Sequence, residues 1–217
     1  MGVLNGLKIL DFSTLFPGPY ATMMLADMGA EVLRVSSKSR PDLTLAAPPP
    51  IPGAPVNAVA ATITRNKRSI SLNLKCPEAA GIVRRLVHTY DIVLDQFRPG
   101  VMDRLGVGYE ALRRENPALI YCALTGYGQT GPMRDVPGHD INYLARSGIS
   151  SYSGRKATGP ALTGVQVADL AAGSMNTVIG ILGAVICRAR TGTGQFVDVS
   201  MLDGAMALTF GKGAAFL

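Results

Sequence analysis

Residues 7–35 restrict the fold more than any other stretch of the chain. Leu7 to Phe12 is a short apolar run that ends in an acid, and Ser13-Thr14 follow as a turn. Pro17 and Pro19 then stand where a helix opens, because a fixed φ and a missing N–H suit the first helical turn. The helix expected over Tyr20–Met28 stops at Gly29, and Glu31–Val35 reads as a second strand. Strand, helix and strand in so short a span make a βαβ unit, whose crossover demands parallel pairing. The chain is therefore expected to be an α/β protein built on a parallel sheet.

The pattern repeats further on, with one interruption. Residues 36–62 contain Ala46-Ala47-Pro48-Pro49-Pro50-Ile51-Pro52-Gly53-Ala54-Pro55, which suits neither a helix nor a central strand. An exposed, mobile loop is expected there, long enough to be a functional flap or a disordered insertion. Ser69–Leu74 alternates like a strand, Pro77 opens a helix over Glu78–His88, and Asp91–Leu94 is a buried strand. A tight turn at Phe97-Arg98-Pro99-Gly100 leads into a short helix ending near Leu105-Gly106. A charged helix over Tyr109–Glu115 precedes the apolar strand Leu119–Leu124. Asp140–Arg146 reads as a short helix and Ser150–Ala161 as a polar connector. Val167 to Ala189 is apolar on all faces, so a buried helix is expected. The strand Gln195–Ser200 and a helix from Met201 to Phe210 follow, and the chain ends on the apolar run Gly211–Leu217. That ending suggests truncation, or a chain that continues elsewhere.

Charge and composition narrow the partners. With 47% hydrophobic and 17% charged residues, the 217-residue chain suits one globular domain rather than disorder. Its net charge of +6 favours anions. The basic residues are scattered, Trp is absent, and no helix-turn-helix, zinc-finger or aromatic RNA-binding signature is present, so a nucleic-acid partner is not expected. A phosphate-bearing cofactor fits better. Cys76, Cys122 and Cys187 lack pair spacing and, with His88 and His139, form no recognisable metal set, so reduced thiols in the cytoplasm are expected. The N-terminus has no signal-peptide pattern, and Val178–Cys187 is too short to span a bilayer.

Chemistry concentrates at Gly138-His139-Asp140-Ile141-Asn142-Tyr143 and at Asp169. An imidazole exchanges protons near neutrality, and a desolvated carboxylate acts as base or nucleophile. On residue type alone, most such residues are structural, which would make His139 a helix cap and Asp169 half of a buried ion pair. Asp169 falls at a helix entrance, where the dipole would favour its ionised form. Gly126-Tyr-Gly-Gln-Thr-Gly131 matches a dinucleotide-binding pattern formally, but Pro132 and Pro137 follow where the phosphate-binding helix should open. Its glycines are better read as allowing close approach of backbone to a bulky ligand.

Taken in order, the segments Gly6-Leu-Lys-Ile-Leu-Asp, Pro17-Gly-Pro-Tyr, Leu25-Ala-Asp-Met-Gly-Ala-Glu-Val and Asn66-Lys-Arg-Ser-Ile-Ser-Leu-Asn-Leu-Lys75 resemble the N-terminal part of the class III CoA-transferase family. So do Phe97-Arg-Pro-Gly-Val, Arg104-Leu-Gly, Leu119-Ile-Tyr, Gly126-Tyr-Gly-Gln-Thr-Gly-Pro132, Asp169 and Gly192-Thr-Gly-Gln-Phe-Val-Asp-Val. The resemblance leaves out residues 36–62 and the last few. It implies a Rossmann-like, open, mostly parallel sheet flanked by helices, with residues 1–217 forming a truncated CoA-binding large domain and the family's small domain missing. It also implies an acyl-CoA thioester substrate, no prosthetic group, no membrane partner, and a homodimer that interlocks in full-length members.

Within that family, Gly138 to Tyr143 resembles the motif of the racemases, and His139 with Asp169 would be the two catalytic bases. One removes the α-proton of a 2-methylacyl-CoA and the other returns a proton to the opposite face. In the transferases the Asp at the same place instead attacks the thioester, so Asp169 serves both readings and His139 discriminates them. A non-catalytic CoA-binding fragment is the third alternative. The resemblance implies CoA contacts at Leu72, Asn73, Leu74, Lys75, Gln96, Phe97, Arg98 and Arg104, at Gly138, Asp140, Ile141, Asn142 and Tyr143, and more weakly at Arg34. Racemases carry Asp-Arg where this chain has Ser36-Ser37, which removes one phosphate contact or hands it to Lys38. His88 matches no family role and reads as a capping or surface residue. The carboxylate that supports the racemase His comes from beyond Leu217. The acyl group stays open, from a branched fatty acid or steroid side chain to a small dicarboxylate.

Overall fold

Apolar runs bounded by Pro and Gly become the strands of one parallel sheet. The computed structural model describes residues 2–39 and 41–215. Met1, with which the N-terminal reading begins, and Phe216 and Leu217, which close the apolar ending, lie outside the described residues. The strands are β1 (Lys8–Asp11), β2 (Glu31–Ser36), β3 (Lys67–Ser71), β4 (Ile92–Asp95), β5 (Ile120–Thr125) and β6 (Phe196–Ser200). All five pairings are parallel, in the order β3-β2-β1-β4-β5-β6. The sheet is wound outwards from β1 in one direction and from β4 in the other. A crevice between such neighbours, at their carboxyl ends, is where open α/β sheets hold ligands.

Helices cover both faces. They are α1 (Pro17–Asp27), α2 (Ala58–Ile63), α3 (Pro77–Leu86), α4 (Val101–Arg104), α5 (Tyr109–Glu115), α6 (Asp140–Arg146), α7 (Asn176–Thr191), α8 (Met201–Leu208) and α9 (Phe210–Gly213), with a π-helical turn at Ala168–Met175 leading into α7. Side chains alternate across each central strand, so one strand feeds two cores. Ile9, Ile92, Leu94, Ile120 and Leu124 pack with Leu25 of α1 and Val178 and Ile181 of α7. Leu10, Val93, Tyr121 and Ala123 pack on the other face with Val83 of α3, Met102 of α4 and Leu112 of α5. Each such Leu, Ile or Val contributes about 1.5–3 kcal/mol through burial.

Two expectations change. Residues 36–62 are not simply an exposed loop: Leu43–Ala46 forms a 3-10 turn, α2 follows, and Asp42, Thr44 and Asn57 are buried. Asp42 is the reason. Its carboxylate accepts from the N–H groups of Thr44 (3.1 Å) and Leu15 (3.3 Å) and pairs with Arg34 at 2.8 Å. Asn57 caps α2 by accepting from the Ala60 N–H at 2.7 Å and donates to the Thr44 carbonyl at 3.0 Å.

The second change concerns the apolar helix. Ala168–Thr191 is helical throughout, a span of 24 residues that is long and apolar enough by composition to cross a membrane, which the shorter run Val178–Cys187 had not suggested. Its inner face, with Thr177, Val178, Ile181 and Ala184, is buried against the sheet. Its outer face is not buried: Met175, Ile179 and Ile186 are exposed, because nothing in the described residues lies over them.

Candidate active site

A cleft of about 970 Å³ opens at the carboxyl ends of the strands. Every strand delivers lining residues from the segment that follows it: Thr14–Pro17 after β1, Ser37 and Ser39 after β2, Asn73–Lys75 after β3, Gln96–Pro99 after β4, Gly126 and Tyr127 after β5, and Met201 after β6. His139 and Asp169 both line this cleft, although thirty positions separate them in the chain.

His139 stands at the N-cap position of α6, and its backbone N–H donates to Asn142 Oδ1 at 2.9 Å. Capping is thus part of its local role, while its exposed side chain faces the cleft lining. Asp169 lies in the first turn of the π-helical segment and is half-buried. Burial, reinforced by the negative charge of Asp140, pushes its carboxyl up from 3.8 to about 7. The expectation that the helix start would favour the ionised form is therefore overturned: desolvation and a like charge outweigh the dipole. Such a carboxyl exchanges protons near neutral pH, as a general base must.

Tyr143 forms the floor beside them. Its ring meets Tyr127 edge-on, with centroids 5.2 Å apart and planes at 79°. Gly126 and Gly138 press on this ring: a Cβ on Gly126 would lie 2.5 Å from Tyr143 Oη, and one on Gly138 would lie 2.7 Å from Tyr143 Cε1. The close approach that these glycines permit is to a tyrosine of the protein itself. Burial, with the nearby Asp169 carboxylate, raises the Tyr143 phenol well above its ordinary value, so it remains a neutral O–H donor. The Gly126–Gly131 loop is pinned by hydrogen bonds from the Gly128 N–H to Thr125 Oγ1 and from the Gln129 N–H to Asp198 Oδ2, both 3.0 Å. Gly131 is followed by a turn, and among the described residues the next helix is α6, which opens only at Asp140.

Of the expected CoA contacts, Asn73, Leu74 and Lys75, Gln96, Phe97 and Arg98, and Gly138, Asn142 and Tyr143 line the cleft. Five others do not. Leu72 packs into the core under α3, Arg104 is exposed on α4, and Ile141 points to solvent, 51% exposed. Asp140 accepts the backbone N–H of Asp169 at 2.9 Å. Arg34 is only 6% exposed and its guanidinium is held by Asp42, so it meets neither the cleft nor solvent. Lys38 is exposed outside the lining, whereas Ser37 and Ser39 border it with their hydroxyls 2.9 Å apart. His88 is a surface residue, its Nε2 3.9 Å from Glu115.

Sequence reasoning missed several features. Arg134 joins Lys75 and Arg98 as a cleft cation, and its only signal was a basic residue just before the histidine motif. Leu15 and Phe16 form a wall, with Leu15 at φ 63°, a conformation rare for a branched residue and not readable from its type. Beneath that wall lies a buried cluster. Asp11 accepts from the Ser13 hydroxyl and from Thr22 Oγ1 (2.5 Å) and faces Lys67 Nζ at 3.6 Å. Under the β4 turn, burial raises the Asp95 carboxyl to about 6, although the Phe97 N–H (2.6 Å) and the Tyr121 hydroxyl (2.9 Å) both donate to it.

The site is therefore a long, cation-bordered cleft carrying a proton-exchanging carboxyl and an imidazole. Comparison with known proteins identifies the family. The model of CoA-transferase family III matches residues 4–214. The chain is 41% identical over 207 residues to the alpha-methylacyl-CoA racemase of Homo sapiens, covering 95% of this chain and 50% of that protein. It is 39% identical over 219 residues to a succinate–glutarate CoA-transferase of Agrobacterium fabrum, covering 99% of this chain and 54% of that protein. The crystal structure of a CAIB/BAIF family protein from Brucella suis superposes with a TM-score of 0.92 at 35% identity, over 99% of this chain and 57% of the other. The chain thus spans about half the length of the relatives it matches. By its whole length and its fold, the chain belongs to CoA-transferase family III.

Proposed function

We propose that the protein inverts the α-carbon of 2-methylacyl-CoA thioesters by two-base proton transfer. The observation that carries this reading is the presence of His139 and Asp169 on one cleft whose border also holds Lys75 and Arg98. The cations suit the phosphate oxygens of CoA. One base takes the α-proton, the electron pair moves into the thioester as an enolate, and the other base delivers a proton to the opposite face. A carboxyl with its pKa at about 7 can hold or release that proton at neutral pH. Asn73, Leu74, Gln96, Phe97, Gly138, Asn142 and Tyr143 are the further contacts assigned to CoA. The reading includes a cytoplasmic homodimer, which the exposed apolar face of Met175, Ile179 and Ile186 supports. Incubation of a single enantiomer of a 2-methylacyl-CoA in deuterated water tests the reading. Deuterium at the α-carbon, with loss of optical purity, is the expected result.

A second reading is CoA transfer between carboxylic acids. The similarity to a protein named as a succinate–glutarate CoA-transferase favours it, at an identity close to that of the racemase. Here the Asp169 carboxylate attacks the thioester carbonyl and expels CoA thiolate, leaving an acyl-aspartyl anhydride; the thiolate attacks the aspartyl carbonyl and frees the first carboxylate. The acceptor carboxylate then displaces thiolate from the aspartyl-CoA thioester, and the thiolate attacks the acyl carbon of the new anhydride to give the product thioester and free Asp169. Hydroxylamine trapping at Asp169, with no α-deuterium, would select this reading over the first.

A further inference from the structure

Asp140 follows His139 directly and opens α6. Its Oδ1 accepts the backbone N–H of Asp169 at 2.9 Å, a bond between residues 29 positions apart. The N–H groups in a first helical turn have no partner within their own helix. The neighbouring Leu170 N–H reaches the Gln166 carbonyl at 2.9 Å, whereas the Asp169 N–H takes its acceptor from outside the segment. A carboxylate on another helix supplies it. Ser174 ties the same segment to α1, its hydroxyl shared between the Pro17 carbonyl at 2.7 Å and the Asp169 carbonyl at 3.1 Å.

We propose that Asp140 is a positioning residue that clamps the backbone of Asp169 to the turn carrying His139, so that one side chain sets the placement of both groups on the cleft. As a role in catalysis, this rests on the two-base reading above. The clamp is itself charged. Its carboxylate is the second cause, after burial, of the raised Asp169 carboxyl. Among the described residues, the other charged or titratable groups on the elements packed around Asp169 are Tyr143 and Arg146 on α6, Tyr20 and Asp27 on α1, Asp203 on α8, Asp198 on β6, and Cys187, Arg188 and Arg190 towards the end of α7. Arg98 and His139 border the same cleft. Among the described residues, Asp140 alone both bonds to Asp169 and acts on its charge.

Two substitutions separate these effects. Asp140→Asn keeps an oxygen acceptor and removes the charge, and Asp140→Ala removes both. The test is NMR of the protein labelled with ¹³C at the aspartate carboxyls, with Asp169→Asn used for assignment, together with hydrogen exchange of the Asp169 amide. In Asp140→Ala the amide should exchange about tenfold faster, as loss of one hydrogen bond requires. In Asp140→Asn its protection should remain, while the titration midpoint of Asp169 falls by about one unit. Wild-type exchange at the Asp169 amide in Asp140→Ala would overturn the clamp, and an unmoved midpoint in Asp140→Asn would overturn its electrostatic part. Neither readout needs turnover. A protein that shows the clamp but exchanges no α-proton would sink the racemase reading and leave the structural role of Asp140 standing.

Discussion

Lys67 Nζ lies 3.6 Å from Asp11 Oδ2 where neither side chain reaches solvent, at 2% and 0% exposure. The lysine at the start of β3 thereby reaches under β2 to the carboxyl end of β1. Its ammonium also donates to the Pro19 carbonyl and to Thr22 Oγ1, both at 2.7 Å, so strand and helix meet on one charge. Burial pulls the Lys67 pKa down and Asp11 pulls it back up.

Removing that charge leaves a buried carboxylate with the Ser13 N–H and the Ser13 and Thr22 hydroxyls as partners but no cation. Lys67→Met should cost about 3–5 kcal/mol, the usual penalty for breaking one side of a buried pair. Urea denaturation of the variant checks this, and adding Asp11→Asn should recover part of the loss. An unchanged midpoint in Lys67→Met would show that the pair contributes nothing.

Gly126→Ala tests the floor of the cleft. The new methyl would sit 2.5 Å from Tyr143 Oη and must displace the ring, which also packs against Tyr127 and Gly138. Destabilisation of about 1–3 kcal/mol is expected from this overpacking. Weaker CoA binding should accompany it, measured by calorimetry. Gly131→Ala is the contrast: open space surrounds its Cβ position, and only its φ of 84° opposes the change.

The raised Asp169 carboxyl makes stability depend on pH. Natively it holds its proton up to about 7, against 3.8 ordinarily, so ionisation opposes folding increasingly as pH rises between those values. The penalty is absent below the lower value and complete above the upper one. Asp169→Asn should therefore be more stable than the parent at pH 8, by on the order of 2 kcal/mol, with the difference vanishing near pH 4. Thermal melts at both pH values decide it, and a variant less stable than the parent at pH 8 would contradict it.

Arg98 and Lys75 border the cleft, and among the described residues neither has an acidic partner within ion-pair distance. Arg98→Gln should weaken CoA binding about tenfold at low salt, through loss of a charge-assisted hydrogen bond, and less at high salt. Calorimetric titration of CoA at two ionic strengths checks both statements. Arg34→Gln should instead destabilise the fold, since its charge answers Asp42 in the interior.

The sheet was legible because its signals are local. Pro17, Gly29 and the apolar runs around Ile9, Val32 and Val93 mark βαβ units without reference to distant residues. Residues 36–62 were legible only in their exposed Pro-rich stretch, because the order on either side of it depends on Asp42 meeting Arg34 and Leu15, which composition does not record. Arg34 was misplaced for the same reason. The exposed face of α7 was hidden too, since an apolar composition does not say which neighbour covers it. At the site, residue types pointed to His139 and Asp169, and the loops after the strands bring both to one cleft. The raised proton affinity of Asp169 was not legible, because it arises from burial and from Asp140, brought alongside only by the fold.

Two-base inversion is tested most directly by α-proton exchange. One enantiomer of a 2-methylacyl-CoA is incubated in deuterated water with the parent protein, with His139→Ala and with Asp169→Asn. Deuterium should enter the α-carbon with the parent, at a rate that either substitution lowers by about 100-fold or more. No α-deuterium with the parent, while CoA passes to an added carboxylate, would contradict the racemase reading.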